Sequence, residues 1–400
     1  MSTRDREPHE RRRAPLAHQG GRVETRGDER VARALEAALD ASADERDTLT
    51  HGFHAYPARM HPRIAAVALD AFAREDDLVL DPFCGSGTVL VEARIRGLDS
   101  TGVDLNPLAL RIAEVKTDRR DAESRMRFGR TLLDVAARSE ARVRARTYAR
   151  APLSREDASW YAPHVLKELA GLRQEILAVG DERDRRALEI VMSSLLVKLS
   201  LQRADTTERA TDKRIRKGLS TEMFVRKGEE LVDRWEALDD ACPARSPAPE
   251  LLWASATDLP PVQGDRFGLV LSSPPYGGTY DYVDHHARRY AWLGLDPEPL
   301  RRGELGARRR LRDGRDLRTW DAEVVAFLES LRRVVRTDAL ALLLVGDGQL
   351  GERRVDAANQ LAGLGPDAGW APLAAASQLR PDWTGREPRR EHLVALRAVR

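Results

Sequence analysis

One segment of the chain combines a short apolar strand, a glycine-containing turn, a helix and a second strand within residues 77–104. The first strand is predicted at residues 77–81, the helix at about 88–96 and the second strand at 101–104. Glycines in the turn between strand and helix let the backbone bend sharply and approach a ligand closely. Such a unit is the first half of a doubly wound α/β sheet, which binds ligands at the carboxyl ends of its strands.

The turn reads Asp81-Pro82-Phe83-Cys84-Gly85-Ser86-Gly87-Thr88 and leads directly into the predicted helix. The first turn of a helix presents free N–H groups and the positive end of the helix dipole. Asp104, at the end of the second strand, lies where a ribose-binding carboxylate is expected. Together with Asn106 just beyond it, this arrangement predicts a cofactor site.

A second motif, Ser272-Ser273-Pro274-Pro275-Tyr276, directly follows an apolar strand predicted at residues 267–271. The two prolines stiffen the loop and remove two N–H donors, while the carbonyl of Pro274 stays available as an acceptor. Ser273 adds a hydroxyl and Tyr276 a flat aromatic face. Such a set suits the exocyclic amine of a nucleic-acid base, which donates hydrogen bonds and offers a face for stacking.

The two motifs resemble those of the amino-methyltransferases, which methylate N6 of adenine or N4 of cytosine in DNA. Phe83-x-Gly85-x-Gly87 is similar to their cofactor motif, and Ser273-Pro274-Pro275-Tyr276 to their catalytic motif in the form usually associated with cytosine N4. Residues 54–62, which include Tyr56, are similar to a Tyr-Pro-Ala-Lys/Arg segment of part of the family. Asp281-Tyr282 and Leu293-Gly294-Leu295 also look like that branch. The resemblance covers roughly residues 51–115 and 250–345.

The resemblance implies an α/β, doubly wound, Rossmann-like class I methyltransferase fold with seven strands, and S-adenosylmethionine as the cofactor. It implies catalytic roles for the four residues Ser273, Pro274, Pro275 and Tyr276. The residues implied at the cofactor are Tyr56, Asp81, Phe83, Gly85, Gly87, Thr88, Asp104, Asn106 and Asp258. The family often has an acidic residue beside the cofactor's adenine. Here Ser255 stands at the expected place and Asp258 follows three residues later, so which of them faces the adenine stays open.

Four regions are predicted along the chain. Residues 1–45 mix charged side chains with few large apolar ones, which predicts a disordered tail, and residues 46–120 form the first half of the methyltransferase domain. Residues 121–250 have apolar side chains at three- and four-residue spacing, which predicts a helical insertion that could bind nucleic acid. Residues 251–400 form the second half, with a helix at about 321–335, a buried strand at 339–345 and a closing strand pair at 373–376 and 392–398.

Charge is informative by its distribution, because the formal net charge is only +2. Two basic stretches flank the catalytic half and are either solvated faces or phosphate-binding surfaces. The first contains Lys213, Arg214, Arg216, Lys217, Arg226 and Lys227, and the second Arg301, Arg302, Arg308, Arg309, Arg310, Arg312, Arg315 and Arg318. The Arg11-Arg12-Arg13 cluster could also touch phosphates. DNA is the expected partner, and RNA is less favoured because no added RNA-binding domain is recognisable.

Other classes of protein and chemistry are disfavoured. The two cysteines, Cys84 and Cys242, have neither metal-ligand nor paired spacing, and His285-His286 has no partners at zinc-site spacing, so no metal is expected. The cysteine usage and the lack of an apolar leader fit the cytoplasm. The longest apolar run, residues 339–345, is too short to cross a membrane. Methylation at cytosine C5 needs a thiolate, usually in Pro-Cys, whereas Cys242-Pro243 has the reverse order.

The sequence therefore predicts methylation of an exocyclic amine of DNA, with cytosine N4 preferred over adenine N6. Methylation of guanine N2 in RNA is an alternative from the same reaction class. A non-catalytic module that merely binds nucleic acid is a second alternative, which the two intact motifs disfavour. No restriction-nuclease motif is recognisable, so a nuclease partner would be a separate chain.

Overall fold

The computed structural model describes residues 21–40, 47–204, 207–211, 213–261, 267–278, 281–309, 311, 317–350, 353–380 and 388–400. The strands in these ranges are β1 (Val23–Gly27), β2 (Val79–Asp81), β3 (Ser100–Asp104), β4 (Gln202–Ala204), β5 (Thr207–Ala210), β6 (Glu250–Trp253), β7 (Phe267–Ser272), β8 (Val335–Gly346), β9 (Gly348–Leu350), β10 (Arg353–Val355), β11 (Trp370–Arg380) and β12 (Arg389–Ala398). The α-helices are α1 (Glu29–Leu39), α2 (Pro62–Phe72), α3 (Thr88–Arg94), α4 (Pro107–Thr117), α5 (Ala122–Ala145), α6 (Arg155–Ser159), α7 (Pro163–Leu177), α8 (Glu182–Ser193), α9 (Leu219–Ala241), α10 (Tyr282–Leu293), α11 (Glu298–Gly303), α12 (Leu317–Val334) and α13 (Ala357–Leu364).

The central sheet has eight strands in the order β1-β11-β12-β8-β7-β2-β3-β6. Strands β8, β7, β2, β3 and β6 run parallel to one another, and β12 is antiparallel to both β8 and β11. From β2 the chain continues outward to β3 and β6, whereas from β7 it continues in the opposite direction to β8. The switch point between β2 and β7 is where open α/β sheets bind their ligands. The predicted doubly wound α/β sheet is confirmed.

The N-terminal segment differs from the expected disordered tail, because residues 23–39 form β1 and α1. Strand β1 pairs antiparallel with β11 and becomes an eighth strand beyond the seven that the resemblance implies. Asp28 caps α1 by accepting a hydrogen bond from the backbone N–H of Val31 at 3.0 Å. Leu35 and Leu39 on this helix are fully buried. The helical spacing of a few apolar side chains outweighs the highly charged average composition of the segment.

The helices α5 to α9 and the hairpin β4–β5 lie between α4 and β6 along the chain. Helices α5, α7, α8 and α9 share one apolar core, which also includes side chains of α4 and α10. Trp235 donates from Nε1 to the backbone carbonyl of Val115 at 2.9 Å. The guanidinium of Arg120 lies 4.0 Å from the Trp235 ring centroid and pairs with Asp184 at 2.5 Å. None of the helices in the described part of the chain combines the length and the hydrophobicity that a membrane span requires.

Candidate active site

A cleft opens at the switch point of the sheet, where α/β folds of this kind bind their ligands. Its walls come from the loop after β2, the end of β3, the loop after β6 and the loop after β7. The predicted site residues that line it are Tyr56, Asp81, Phe83, Gly85, Thr88, Asp104, Asn106, Ser273 and Pro275. The fold therefore brings residues from both sequence motifs to one cavity.

The two glycines of the cofactor loop have different tasks. Gly85 has a φ of +48° and Gly87 a φ of +81°, values that favour glycine. A Cβ atom at Gly85 would lie 3.2 Å from Cε1 of Tyr56, which lines the cleft. A Cβ atom at Gly87 would lie 3.0 Å from the Cβ of Ala113 on α4. Gly87 therefore lets α3 pack closely against α4, while Gly85 lies at the cleft itself.

Asp104 at the end of β3 accepts two backbone hydrogen bonds. Its Oδ2 accepts from the N–H of Gly85 at 2.9 Å and its Oδ1 from the N–H of Asn106 at 2.8 Å. Burial nevertheless raises the pKa of this carboxyl to about 6. The side chain fixes the cofactor loop and still lines the cleft, so its carboxylate can accept further hydrogen bonds there.

Asp81 connects the two motifs. Its Oδ1 accepts from the hydroxyl of Ser272 at 2.6 Å and from the N–H of Phe83 at 3.2 Å. Burial is the main cause that raises the pKa of the Asp81 carboxyl to about 7, and both hydrogen bonds oppose it. Because Ser272 is the last residue of β7, this carboxyl fixes the cofactor loop to the start of the catalytic loop.

Tyr56 closes one side of the cleft through a hydrogen-bonded and stacked arrangement. Its hydroxyl accepts from Nδ2 of Asn106 at 3.3 Å, and the hydroxyl of Tyr290 donates to Oδ1 of Asn106 at 3.0 Å. The Tyr56 ring stacks on His286 with centroids 5.1 Å apart and on Tyr282 at 6.3 Å. These contacts fix the ring over Gly85, where it can contact a cofactor.

The catalytic loop lies between two cavities. Ser273 and Pro275 line the cleft, whereas Pro274, Pro275 and Tyr276 line a neighbouring, mostly apolar cavity. Pro275 is thus common to both. Tyr276 is half-buried, and its hydroxyl donates to Oε1 of Glu391 at 3.0 Å. The structure therefore places Ser273 at the cleft that contains the cofactor loop, and Pro274 and Tyr276 at the neighbouring cavity.

The structure separates the two alternatives in the loop after β6. Ser255 and Thr257 line the cleft, and their hydroxyl groups lie 2.8 Å apart. The side chain of Asp258 does not line it; it is 90% exposed and lies 3.5 Å from Arg333. Asp258 therefore does not lie at the cleft as expected, because the tight turn after β6 directs its carboxylate to solvent, and Ser255 is the one of the two that borders the cleft.

Several residues that line the cleft were not predicted as site residues: Arg59, Ser86, Tyr282 and Glu304. Arg59 and Tyr282 belong to segments that carry the family resemblance, so a signal for them was present in the sequence. Glu304 had none. It is buried, accepts from the N–H of Tyr282 at 2.5 Å and pairs with Arg309. Glu304 thereby connects the start of α10 to the segment that follows α11.

The basic stretches are divided between internal pairing and exposure. Lys213 donates to the backbone carbonyl of Val197 at 3.2 Å, while Arg216 pairs with Glu222 and Lys227 with Glu230. The exposed members are Arg214, Arg216, Lys217, Arg226, Arg301, Arg302, Arg308 and Arg318. Arg310, Arg312 and Arg315, like Arg11-Arg12-Arg13, lie outside the described residues. Arg301 and Arg302 are on α11, whose Leu300 and Gly303 line the cleft.

Comparisons with known proteins agree with this geometry. A family model described as DNA methylase matches residues 34–115. The type II methyltransferase M.MjaII of Methanocaldococcus jannaschii is 35% identical over 94 residues, which are 24% of this chain and 17% of that protein. The type II methyltransferase M.BsoBI of Geobacillus stearothermophilus is 23% identical over 257 residues, 56% of this chain and 48% of that protein. The chain thus spans less than half the length of these relatives.

Among solved structures, TrmN from Thermus thermophilus matches with 14% identity and a TM-score of 0.34, over 87% of this chain and 52% of that one. The family model and the sequence relatives confirm the resemblance to the DNA amino-methyltransferases. The strand order and the switch point between β2 and β7 are those of a class I Rossmann-like fold, and S-adenosylmethionine is the cofactor that the matching family model implies.

The cleft fits this cofactor. The hydroxyl of Thr88, on the first residue of α3, is buried and has no hydrogen-bond partner among the described residues, yet it lines the cleft. The carboxylate of Asp104 can accept from ribose hydroxyls, and Arg59 carries a positive charge suited to a carboxylate. Tyr56 and Phe83 supply apolar surface. These residues would hold the ribose, the amino-acid moiety and the adenine.

Proposed function

We propose that this chain, whose residues 34–115 match the DNA methylase family, methylates an exocyclic amino group of a DNA base, with cytosine N4 as the preferred target. One observation carries the proposal. The serine of the catalytic loop, Ser273, lines the same cleft as Gly85 and Asp104 of the cofactor loop. An amine held at Ser273 is therefore adjacent to the place where the cofactor is expected.

The chain's own groups would orient the amine. The hydroxyl of Ser273 and the carbonyl of Pro274 accept its two hydrogens, which favours a pyramidal nitrogen with its lone pair directed into the cleft. The same acceptors stabilise positive charge that develops on nitrogen. When bound, the cofactor supplies an activated methyl group on a sulfonium. Alignment of two bound reactants contributes on the order of 7–11 kcal/mol, so a covalent intermediate with the protein is not required.

The target base must leave its helix to reach Ser273. Flipping a base out of a duplex costs a few kcal/mol. Stacking on an aromatic ring returns about 1–3 kcal/mol per base, and Tyr276 is the ring that we assign to this role. Both cavities border the catalytic loop, so a base at Tyr276 stays close to the cofactor cleft.

The preference for cytosine rests on the first residue of the catalytic motif. Family members with a longer Asp or Asn there are usually associated with adenine, whereas Ser is usually associated with cytosine. The shorter Ser273 leaves more room in front of the acceptor, which suits a single pyrimidine ring that must reach deeper into the cleft. Adenine N6 offers the same two hydrogens and is the second candidate.

The expected DNA surface lies around the cleft. Arg302 and Arg308 are exposed and flank Gly303, Glu304 and Leu305, which line the cleft. Arginine at such a rim can neutralise phosphates on either side of an extruded nucleotide. The helical insertion adds exposed basic side chains at Arg214, Lys217 and Arg226. We propose that the insertion contacts the DNA that flanks the target base.

Methyl transfer from isotopically labelled S-adenosylmethionine to DNA and to RNA tests the proposal, with the products digested to nucleosides and separated by mass. We expect N4-methylcytosine from DNA, loss of most activity in Ser273→Ala, and full activity in Ser246→Ala, a serine that does not line the cleft. N6-methyladenine alone would overturn the base preference. Transfer only to RNA would exclude DNA as the substrate, and no transfer to either would favour a non-catalytic binding module.

A further inference from the structure

The catalytic-loop tyrosine is held at two points by a pair of residues from the antiparallel part of the sheet. The hydroxyl of Tyr276 donates to Oε1 of Glu391 on β12 at 3.0 Å. Its ring lies against Gly346 on β8, where an added Cβ would be 2.5 Å from Cε2 of the ring. Gly346 and Glu391 are directly opposite each other in the register of β8 and β12. One residue pair therefore fixes both the ring and the hydroxyl.

The carboxylate that receives the tyrosine hydroxyl is itself held from the other side. Oε2 of Glu391 lies 2.8 Å from Nε of Arg380 at the end of β11, and the Arg380 side chain is only 2% exposed. Arg380 also donates to the backbone carbonyl of Leu39, the last residue of α1, at 3.1 Å. Each carboxylate oxygen of Glu391 has its own partner, so the side chain has little freedom to turn away from Tyr276.

We propose that Glu391 and Arg380 are positioning residues that hold the ring of Tyr276 in place to receive the target base. The inference rests on the proposed function, because it assigns to Tyr276 the contact with the base. A ring that is fixed before the base arrives loses less side-chain entropy on binding than a ring that is free to rotate. Correct placement of the base then favours transfer rather than mere association.

The hydrogen bond is separable from the packing of the ring. Phenylalanine at position 276 retains the ring and its contact with Gly346 but removes the hydroxyl. Glutamine at position 391 retains an oxygen that can accept from the hydroxyl but removes the charge beside Arg380. Alanine at position 391 would leave Arg380 buried without its carboxylate, which can destabilise the whole fold. Tyr276→Phe and Glu391→Gln are therefore the informative variants.

We expect Tyr276→Phe to lower kcat for DNA about tenfold, which corresponds to one hydrogen bond with a charged acceptor. Glu391→Gln should lower it less, because it weakens the hydrogen bond without removing it. The double variant should be no slower than Tyr276→Phe alone, because both changes act on the same hydrogen bond. The Kd for S-adenosylmethionine and the Tm should stay close to wild type in Tyr276→Phe. Arg390→Gln is the matched control, since Arg390 neighbours Glu391 on β12 but pairs with the exposed Glu24.

Hydrogen exchange of the backbone amides in residues 276–278 gives a readout that does not depend on methylation. It should be faster in Tyr276→Phe and Glu391→Gln than in wild type, and unchanged in Arg390→Gln. Unchanged exchange in both variants, or kcat losses that multiply in the double variant, would overturn the positioning role. If the wild-type protein shows no transfer, the proposed function fails, while altered exchange would still establish the contact between Tyr276 and Glu391.

Discussion

Replacement of Asp81 by asparagine should stabilise the protein at a pH above neutrality. Both hydrogen bonds to the Asp81 side chain, from Ser272 and from Phe83, end on the same oxygen. An asparagine oxygen can accept both, so the variant retains this local geometry. What it removes is a negative charge that is 3% exposed and has no ion pair among the described residues.

The magnitude follows from the pKa of the carboxyl, which burial raises from 3.8 to about 7. Three pKa units correspond to about 4 kcal/mol. Because the pKa of Asp81 is higher in the folded state, ionisation of this carboxyl destabilises the folded protein. The free energy of unfolding of the wild-type protein therefore falls by this amount as the pH rises from below 3.8 through about 7. The asparagine variant has no such loss, so its advantage should be on the order of 4 kcal/mol at about pH 8 and much smaller at about pH 5.

Chemical denaturation without cofactor, at about pH 5 and pH 8, measures this difference, since a bound ligand would add its own stabilisation. Asp70→Asn is the matched control, because Asp70 is 60% exposed and its ion pair with Arg96 should contribute at most about 1 kcal/mol. The reasoning would be refuted if the stability difference between Asp81→Asn and wild type were the same at both pH values. Such a result would show that Asp81 titrates alike in the folded and unfolded states.

Three further predictions concern the cleft and its rim. Gly85→Val should abolish measurable cofactor binding in calorimetry, because a β-branched residue is strained at a φ of +48° and its Cβ would press on Tyr56. If the variant bound the cofactor with wild-type affinity, the cofactor site would lie elsewhere. The affinity of the wild-type protein for S-adenosylmethionine should fall as the pH drops through about 6, where Asp104 gains a proton, and Asp104→Asn should remove that dependence. In a plot of log DNA affinity against log salt concentration, Arg302→Gln and Arg308→Gln should each make the slope less steep by about 0.9. Arg333→Gln is the control, because Arg333 lies beside the exposed Asp258.

The parts of the fold next to the two motifs could be predicted because their signals are local. Strand β2, the glycine turn and α3 lie within residues 79–94, and strand β7 ends at Ser272, directly before Ser273. A glycine turn between a buried strand and a helix has few possible conformations. The same holds for the strand pair β11 and β12, whose expected cores lie inside the observed strands.

The rest depends on contacts between residues far apart in the chain. Nothing near Tyr276 in the sequence indicates that its hydroxyl meets Glu391, because 115 positions separate the two residues. A tight turn directs the side chain of Ser255 to the cleft and that of Asp258 to solvent. The spacing of the two residues in the sequence does not specify these directions. The strand β1 was missed because its four residues after Val23 are exposed and carry no alternation.

The position of the helical insertion has a consequence for the order in which the molecule folds. Strands β2 and β7 are neighbours in the sheet, with Val79 opposite Leu269, although 190 residues separate them in the chain. Closing a loop of that length is slow compared with packing the helices inside it, whose contacts span shorter stretches of the chain. The helical block should therefore assemble before the central strands meet. Cofactor binding would then appear only at the last stage of refolding, when both strands bordering the cleft are in place.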